Sequence, residues 1–249
     1  MNNKVLNLGG IDNIFTGSAG GTANVAIIKV GLPMYAFYGY TIDGVWQTGD
    51  DFTATKDNVK PGDFKYRDLN GDKIVNADDR QVIGNPFPKF MASLTNNFTY
   101  KGFNLNVFFD GAWGAKMLNN NLVDTYFPAN LLRNRLSEPL LNRWTPSNPS
   151  TVYPSFVNPL GQGKKEVNTY TVESADFLRL NTVKLGYDFS IKNSAVKGVG
   201  IFVTAQNLAM WTTYKGYDPS INPNGGGVRI DWNAFPTART ILFGLNLNL

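Results

Sequence analysis

Residues 88–115 read PKFMASLTNNFTYKGFNLNVFFDGAWGA, and the alternation inside this stretch decides the fold class. Ala92, Leu94, Phe98 and Tyr100 fall on one side of an extended chain, and Ser93, Thr95, Asn97 and Thr99 on the other. That is the period of two that a strand imposes. After Lys101-Gly102, a two-residue hairpin link, the pattern resumes with Phe103, Leu105, Val107 and Phe109 opposed to Asn104, Asn106 and Asp110. Two antiparallel strands follow, each greasy on one face and polar on the other.

The same pattern recurs outward along the chain. Strands are expected at Thr22 to Val30, Met34 to Trp46, Pro88 to Tyr100, Phe103 to Ala115, Phe177 to Ser190, Gly198 to Trp211 and Ala238 to Leu249. A partial strand at Lys4 to Leu8 brings the number to about eight. In the last of them Ile241, Phe243, Leu245, Leu247 and Leu249 oppose Gly244, Asn246 and Asn248. Most are longer than the roughly 5 to 6 residues of soluble strands and match the about 9 to 11 needed to cross a bilayer at a tilt. Alternation alone does not separate a sandwich, apolar face inward, from a barrel with that face toward lipid. Connection lengths do. Links at Gly9 to Gly21, Gln47 to Phe87, Lys116 to Asp176 and Thr212 to Thr237 are long, while Gly31 to Pro33, Lys101-Gly102 and Ile191 to Lys197 are short. Every second connection is long, as in an up-and-down barrel with short periplasmic turns and long extracellular loops. Tyr38, Tyr40, Trp46, Tyr100, Trp113, Tyr187 and Trp211 near strand ends fit interfacial girdles, or else ordinary core packing.

Composition removes much enzymology. Among 249 residues there is no His and no Cys, which excludes thiolate nucleophiles, disulfides and every His-based triad. No pair of carboxylates is spaced to act as acid and base, so no catalytic residue is assigned and the chain reads as a non-enzyme. The net charge of +4 comes from scattered Lys and Arg, without the clustered patch a nucleic-acid partner requires. No run approaches the roughly 20 apolar residues of a membrane helix. The start, Met1-Asn2-Asn3-Lys4, lacks an apolar signal core and leads into a strand end, so a piece of a longer protein is expected.

One motif has sharp chemistry. From Asp68 to Asp79, oxygen-bearing side chains stand at loop positions of Asp68, Asn70, Asp72, Asn76 and Asp79, with the Ile74 carbonyl between them. This spacing lets a tight loop wrap a hard cation, and oxygen-only donors suit Ca2+. Lys73 occupies the place usually given to Gly, and Asp79 that of a bidentate Glu. The competing reading is an Asx-rich turn without metal. As a site the loop reads as a structural clasp.

Further residues resemble a known family. Phe37-Tyr38-Gly39-Tyr40 with Asp43-Gly44-Val45-Trp46, Pro61-Gly62-Asp63 leading to Arg80, Gly84-Asn85-Pro86 and Tyr100-Lys101-Gly102-Phe103 belong to this series. It continues with Ala175-Asp176-Phe177-Leu178-Arg179-Leu180, Ala205-Gln206-Asn207-Leu208 and Pro236-Thr237-Ala238-Arg239 to Phe243-Gly244-Leu245-Asn246-Leu247. In this order they resemble the TonB-dependent outer-membrane receptors of Bacteroidetes nutrient uptake, the SusC/RagA type. The resemblance implies an all-β antiparallel transmembrane barrel segment, part of a plugged barrel of about 22 strands. It also implies a bacterial outer-membrane location, import of oligosaccharides or peptides, a SusD-like surface lipoprotein as partner and the TonB complex as energy source. Residues 1–249 would then be the carboxy-terminal part of the barrel, with the plug outside them.

Loop residues Trp144, Tyr153, Tyr214, Tyr217 and Trp232 are candidates for substrate contact, with Asp218 and Asp231 placed to bond hydroxyls. Local packing is the alternative for the aromatics. A soluble calcium-stabilised β-sheet binding module, its apolar faces packed into one core, is the competing function.

Overall fold

The computed structural model describes residues 3–19, 21–126, 136–155, 167–191, 196, 198–221 and 227–248. Among the described residues are fourteen strands: β1 (Asn13–Ala19), β2 (Thr22–Lys29), β3 (Ala36–Gly39), β4 (Ile42–Val45), β5 (Phe64–Tyr66), β6 (Gln81–Gly84) and β7 (Phe90–Tyr100), then β8 (Phe103–Trp113), β9 (Lys116–Asn119), β10 (Val172–Ser174), β11 (Phe177–Ser190), β12 (Gly198–Thr212), β13 (Ile230–Asp231) and β14 (Thr240–Asn248). Two short helices, α1 (Asn120–Tyr126) and α2 (Ser137–Leu141), lie in the longest connection.

Five strands form an open wall in the order β7, β8, β11, β12, β14, each antiparallel to the next. The hairpin between β7 and β8 turns at Lys101 (φ +46°) and Gly102 (φ +89°), the doubly left-handed conformation that matches strand twist. A Cβ on Gly102 would lie 3.0 Å from the Asp188 carbonyl oxygen, so this glycine also lets β11 approach. Within the wall the expected parity holds, short links alternating with long ones. Residue 249 and most of the 191–197 link lie outside the described residues.

Register places like with like. Leu94 faces Phe109, Phe98 faces Leu105, Leu105 faces Leu185, Leu185 faces Val203, and Val203 faces Phe243. One face of the wall is therefore apolar from edge to edge, yet none of the described residues covers it: Leu94 is 58% exposed, Phe98 60% and Phe243 83%. A sandwich would bury these side chains. Trp113 and Trp211 stand at one end of this face and Tyr100 and Tyr187 at the other, so aromatics border it on both sides. The opposite face is a hydrogen-bonded lattice. Asn106 donates to Asn97, Asn104 to Asp188 and Asn181 to Asp110, and the Lys184 ammonium sits 4.3 Å from the Phe202 ring centre.

The described parts of the long connections carry short elements of their own, β9, β10, β13, α1 and α2 among them. They gather into a folded cap with its own interior. Val25, Phe37, Leu118, Val123, Val167, Val172 and Ile230 form one cluster, and Ile42, Val45, Phe64, Leu122 and Trp144 a second. Helix α1 joins them, giving Leu122 to one and Val123 to the other. A small sheet, β10-β9-β13, ties the connection after β8 to the one after β12.

Three expectations near the start are corrected. Met34 to Trp46 is not one strand: β3 pairs with β2 and β6, whereas β4 pairs with β5. The break falls at Tyr40, whose N–H donates to Val167 and whose carbonyl accepts from Thr169, so a distant segment takes the backbone a continuing strand would have used. Gly39 permits this approach, since a Cβ there would stand 2.2 Å from the Val167 carbonyl oxygen. The expected connection Gly9 to Gly21 contains β1, against which β2 carries one extra residue at Asn24-Val25, opposite Gly17. Lys4 to Leu8 is not a strand, although Val5 exchanges hydrogen bonds with the turn at Gly31-Leu32. Tyr40 and Trp46 consequently belong to the cap interior rather than to a girdle, and the wall has five strands rather than about eight.

Candidate functional site

The Asp68 to Asp79 loop closes on its own side chains. Asp68 accepts N–H bonds from Gly71 and Lys73, Asn70 from Asp72, and Asp72 from Ile74. Burial raises the Asp68 carboxyl, but its four backbone N–H neighbours, Lys73, Gly71, Asn70 and Asp72, outweigh this and hold it below the usual carboxylate range. Gly71 (φ +77°) and Lys73 (φ +71°) both adopt the left-handed region, so Lys73 takes the strained conformation that a Gly would adopt freely. Asn76 and Asp79 have another role. They form a capping box on the 3-10 turn Ala77–Asp79, and Asp79, 1% exposed, accepts from both Leu69 and Asn76. Asp68, Asn70 and Asp72 are thus brought together, whereas Asp79 braces the loop from inside. Among the described residues no three acidic groups gather as a metal cluster.

Of the substrate candidates, four are interior: Trp144, Tyr214, Asp218 and Asp231. Trp144 is buried and donates its indole N–H to Gln47. Tyr214 is buried and donates its hydroxyl to Asp231; burial first, and then the Asp231 carboxylate, push the phenol up. Asp218 is 4% exposed and pairs with Arg179 at 3.4 Å, while Ser220 and Thr237 donate to it. Burial raises the Asp218 carboxyl, but the Ser220 and Thr237 hydrogen bonds and the Arg179 charge outweigh it and hold it below the usual range. Tyr153 donates to Glu138, and burial together with that carboxylate pushes its phenol up to about 12. Tyr217, 68% exposed, and Trp232 present their rings to solvent.

Two register irregularities meet beside this group. Leu180 and Thr182 face adjacent β8 residues, so β11 carries one extra residue at Asn181; against the same two, β12 advances from Ala209 to Gln206 and carries one extra near Asn207. Bulges of this kind bend a strand and redirect its side chains. Beside the β12 bulge lies a cavity of about 220 Å3 lined by Arg179, Asn207, Thr212, Tyr217, Thr237 and Arg239 among others. It unites two sequence candidates, Tyr217 and Asp218, with Arg179, Asn207 and Arg239, to which sequence reasoning assigned no role at the site. No pattern along the chain marks a bulge, because an extra residue is defined only against its partner strand.

No family model matches the chain. It is 30% identical over 261 residues to TonB-dependent receptor P3 of Formosa agariphila, covering 98% of this chain and 25% of that protein. It is 30% identical over 234 residues to TonB-dependent receptor SusC of Bacteroides thetaiotaomicron, covering 92% of this chain and 21% of that protein. Its fold matches a chain of the RagAB peptide importer in the open-open state with a TM-score of 0.72 and 25% identity, over 99% of this chain and 25% of the other. The chain therefore spans about a quarter or less of the length of the relatives it matches.

Proposed function

We propose, on the premise that this chain is a homologue of the SusC/RagA-type TonB-dependent receptors, that it forms a carboxy-terminal wall segment of an outer-membrane importer. The observation that carries the reading is the uncovered apolar face of the five-stranded wall, backed by a hydrogen-bonded polar face. Lipid on the first side and a wet lumen on the second satisfy both. A soluble binding module would need a second layer over the apolar side chains, and among the described residues none packs there. Oligosaccharides or peptides are the proposed cargo, with a SusD-like lipoprotein and the TonB complex as partners of the whole protein.

The test begins with fractionation of the parent protein, which is expected in the detergent-extracted outer membrane; recovery only in the soluble extract overturns the reading. Face-specific variants refine it. Phe243→Arg puts a charge on the apolar face and is expected to cost up to about 2–4 kcal/mol of folding in lipid vesicles, whereas Asn246→Arg on the other face leaves it nearly unchanged. Equal effects of the two would remove the distinction between lipid and lumen sides.

A second reading concerns the clasp. The Asx turns of Asp68, Asn70 and Asp72 leave lone pairs free on oxygen donors of the kind Ca2+ prefers. We propose these three with the Ile74 carbonyl as its ligands, and Asp79 as the brace beneath. A cross-link there shortens a long flexible connection. Chelation is then expected to raise the rate of proteolysis at Lys73 several-fold; an unchanged rate identifies a turn held by hydrogen bonds alone.

A further inference from the structure

We propose that the cavity beside the β12 bulge binds a carboxylate group, with Arg239 as its cationic contact and Arg179 as a fixed wall. The proposal deepens the import reading, on which the source of that carboxylate rests. Arg179 is 8% exposed and already committed: it pairs with Asp218, donates to Ser220 and lies over the Phe177 ring at 5.2 Å. That pair is neutral, so Arg179 contributes shape and direction rather than free charge. Arg239 differs. It is exposed, lines the same cavity and makes no hydrogen bond or ion pair among the described residues. Two arginines against the one buried aspartate leave the cavity with a single unmatched positive charge.

The backbone is arranged to hold that charge in place. Asn207 adopts φ +54°, a left-handed conformation uncommon outside glycine, at the bulge. Its amide donates to the Ala238 carbonyl, fastening the segment that carries Arg239 to the strand. Thr237, one residue further back, is held by Asp218. Strained residues supported in this way cluster at ligand sites. A guanidinium presents two parallel N–H donors that match a carboxylate. The cavity volume of about 220 Å3 admits one acidic unit, and the exposed Tyr217 ring offers a flank for its apolar part. One surplus charge suits a single carboxylate group.

Titration calorimetry on the parent protein in detergent provides the test. The probes are trialanine with its carboxy-terminal amide, and digalacturonate with its methyl ester. At least one acid is expected to bind, about tenfold or more tighter than its neutral partner, the range of a charge-assisted contact. Arg239→Gln should abolish that preference, while Arg239→Lys, which keeps the charge, retains part of it. Asn207→Gly, compatible with the left-handed backbone, should weaken acid binding without lowering thermal stability in proportion. Preference for trialanine identifies a peptide terminus, and preference for digalacturonate a uronic acid. Equal binding of acid and neutral forms, no binding of either acid, or acid binding untouched by Arg239→Gln overturns the site. A protein that resides in the outer membrane yet fails the titrations loses the site and keeps the import reading; one found only in soluble extract loses the import reading whatever the titrations return.

Discussion

Asp218→Ala is expected to destabilise the cap by about 3–5 kcal/mol, the cost of leaving one member of a buried ion pair without its partner. Arg179 would keep its burial and lose the carboxylate, while the Ser220 and Thr237 hydroxyls would lose their acceptor. Its Nε is already buried without a hydrogen-bond partner, so little slack remains. The pair fastens the start of β11 to the connection before β14, and its loss should free that connection first. Limited proteolysis of residues 213–239 alongside denaturant unfolding measures this. A cost below about 1 kcal/mol, typical of exposed pairs, would show that the pair contributes nothing beyond a surface contact.

The same residue predicts a pH response. Its folded carboxyl is held below the ordinary value, so the unfolded chain binds the proton more readily. The stabilisation is present above the unfolded pKa of about 3.9 and is lost as pH falls through the lower folded value. The wild-type cap should therefore loosen in acid, and Asp218→Ala should remove part of that dependence. Glu173 acts in the opposite sense: burial outweighs its bonds to Asn119 and Lys215 and raises its carboxyl. Its contribution is present at low pH and declines as pH rises through that raised value.

Gly62→Ala is the second large effect, expected to cost about 2–5 kcal/mol from a left-handed backbone and an overfilled interior combined. Gly62 has φ +91°, and a Cβ there would lie 2.5 Å from Ser155 Cβ and 2.6 Å from the Trp144 ring. The surroundings cannot yield easily. Gly62 donates to the Trp46 carbonyl, Ser155 donates to Gly62, and Trp46 donates to Asp63, so three segments meet at this turn. Gly49→Ala serves as the control, since nothing lies within 4 Å of the added carbon. Indole fluorescence during unfolding, with Trp144 in the second core cluster and the buried Trp46 next to its member Val45, measures both variants. Equal stability of the two would mean that the turn at Pro61-Gly62-Asp63 opens without disturbing the cap.

Much of the wall was legible because a strand advertises its faces locally. Leu94, Phe98, Leu105 and Leu185 alternate along their own segments, and Lys101-Gly102 carries the turn chemistry that joins the first pair. Met34 to Trp46 misled for a physical reason. Apolar and aromatic residues continue through Tyr40 without a turn signal strong enough to end a strand, but the hydrogen bonds there go to Val167 and Thr169, more than a hundred residues away. Loop aromatics were ambiguous in the same way. Trp144 and Trp232 look alike in sequence, yet one is interior with Gln47 as partner and the other is half exposed.

By itself, then, the amino-acid sequence determined the antiparallel wall, its two unlike faces, the alternation of short and long links, and the Asx-rich turns from Asp68 to Asp72. Each of these depends on neighbours within a few residues, where period and turn chemistry act. Only the tertiary structure decided that the long links fold into a cap, that Asp79 braces rather than reaches outward, that Asp218 is matched by Arg179, and that Arg239 is left unmatched at a bulge. Those outcomes depend on which distant backbone or charge arrives beside a residue, and pairing across such distances is set by the packing of the whole chain.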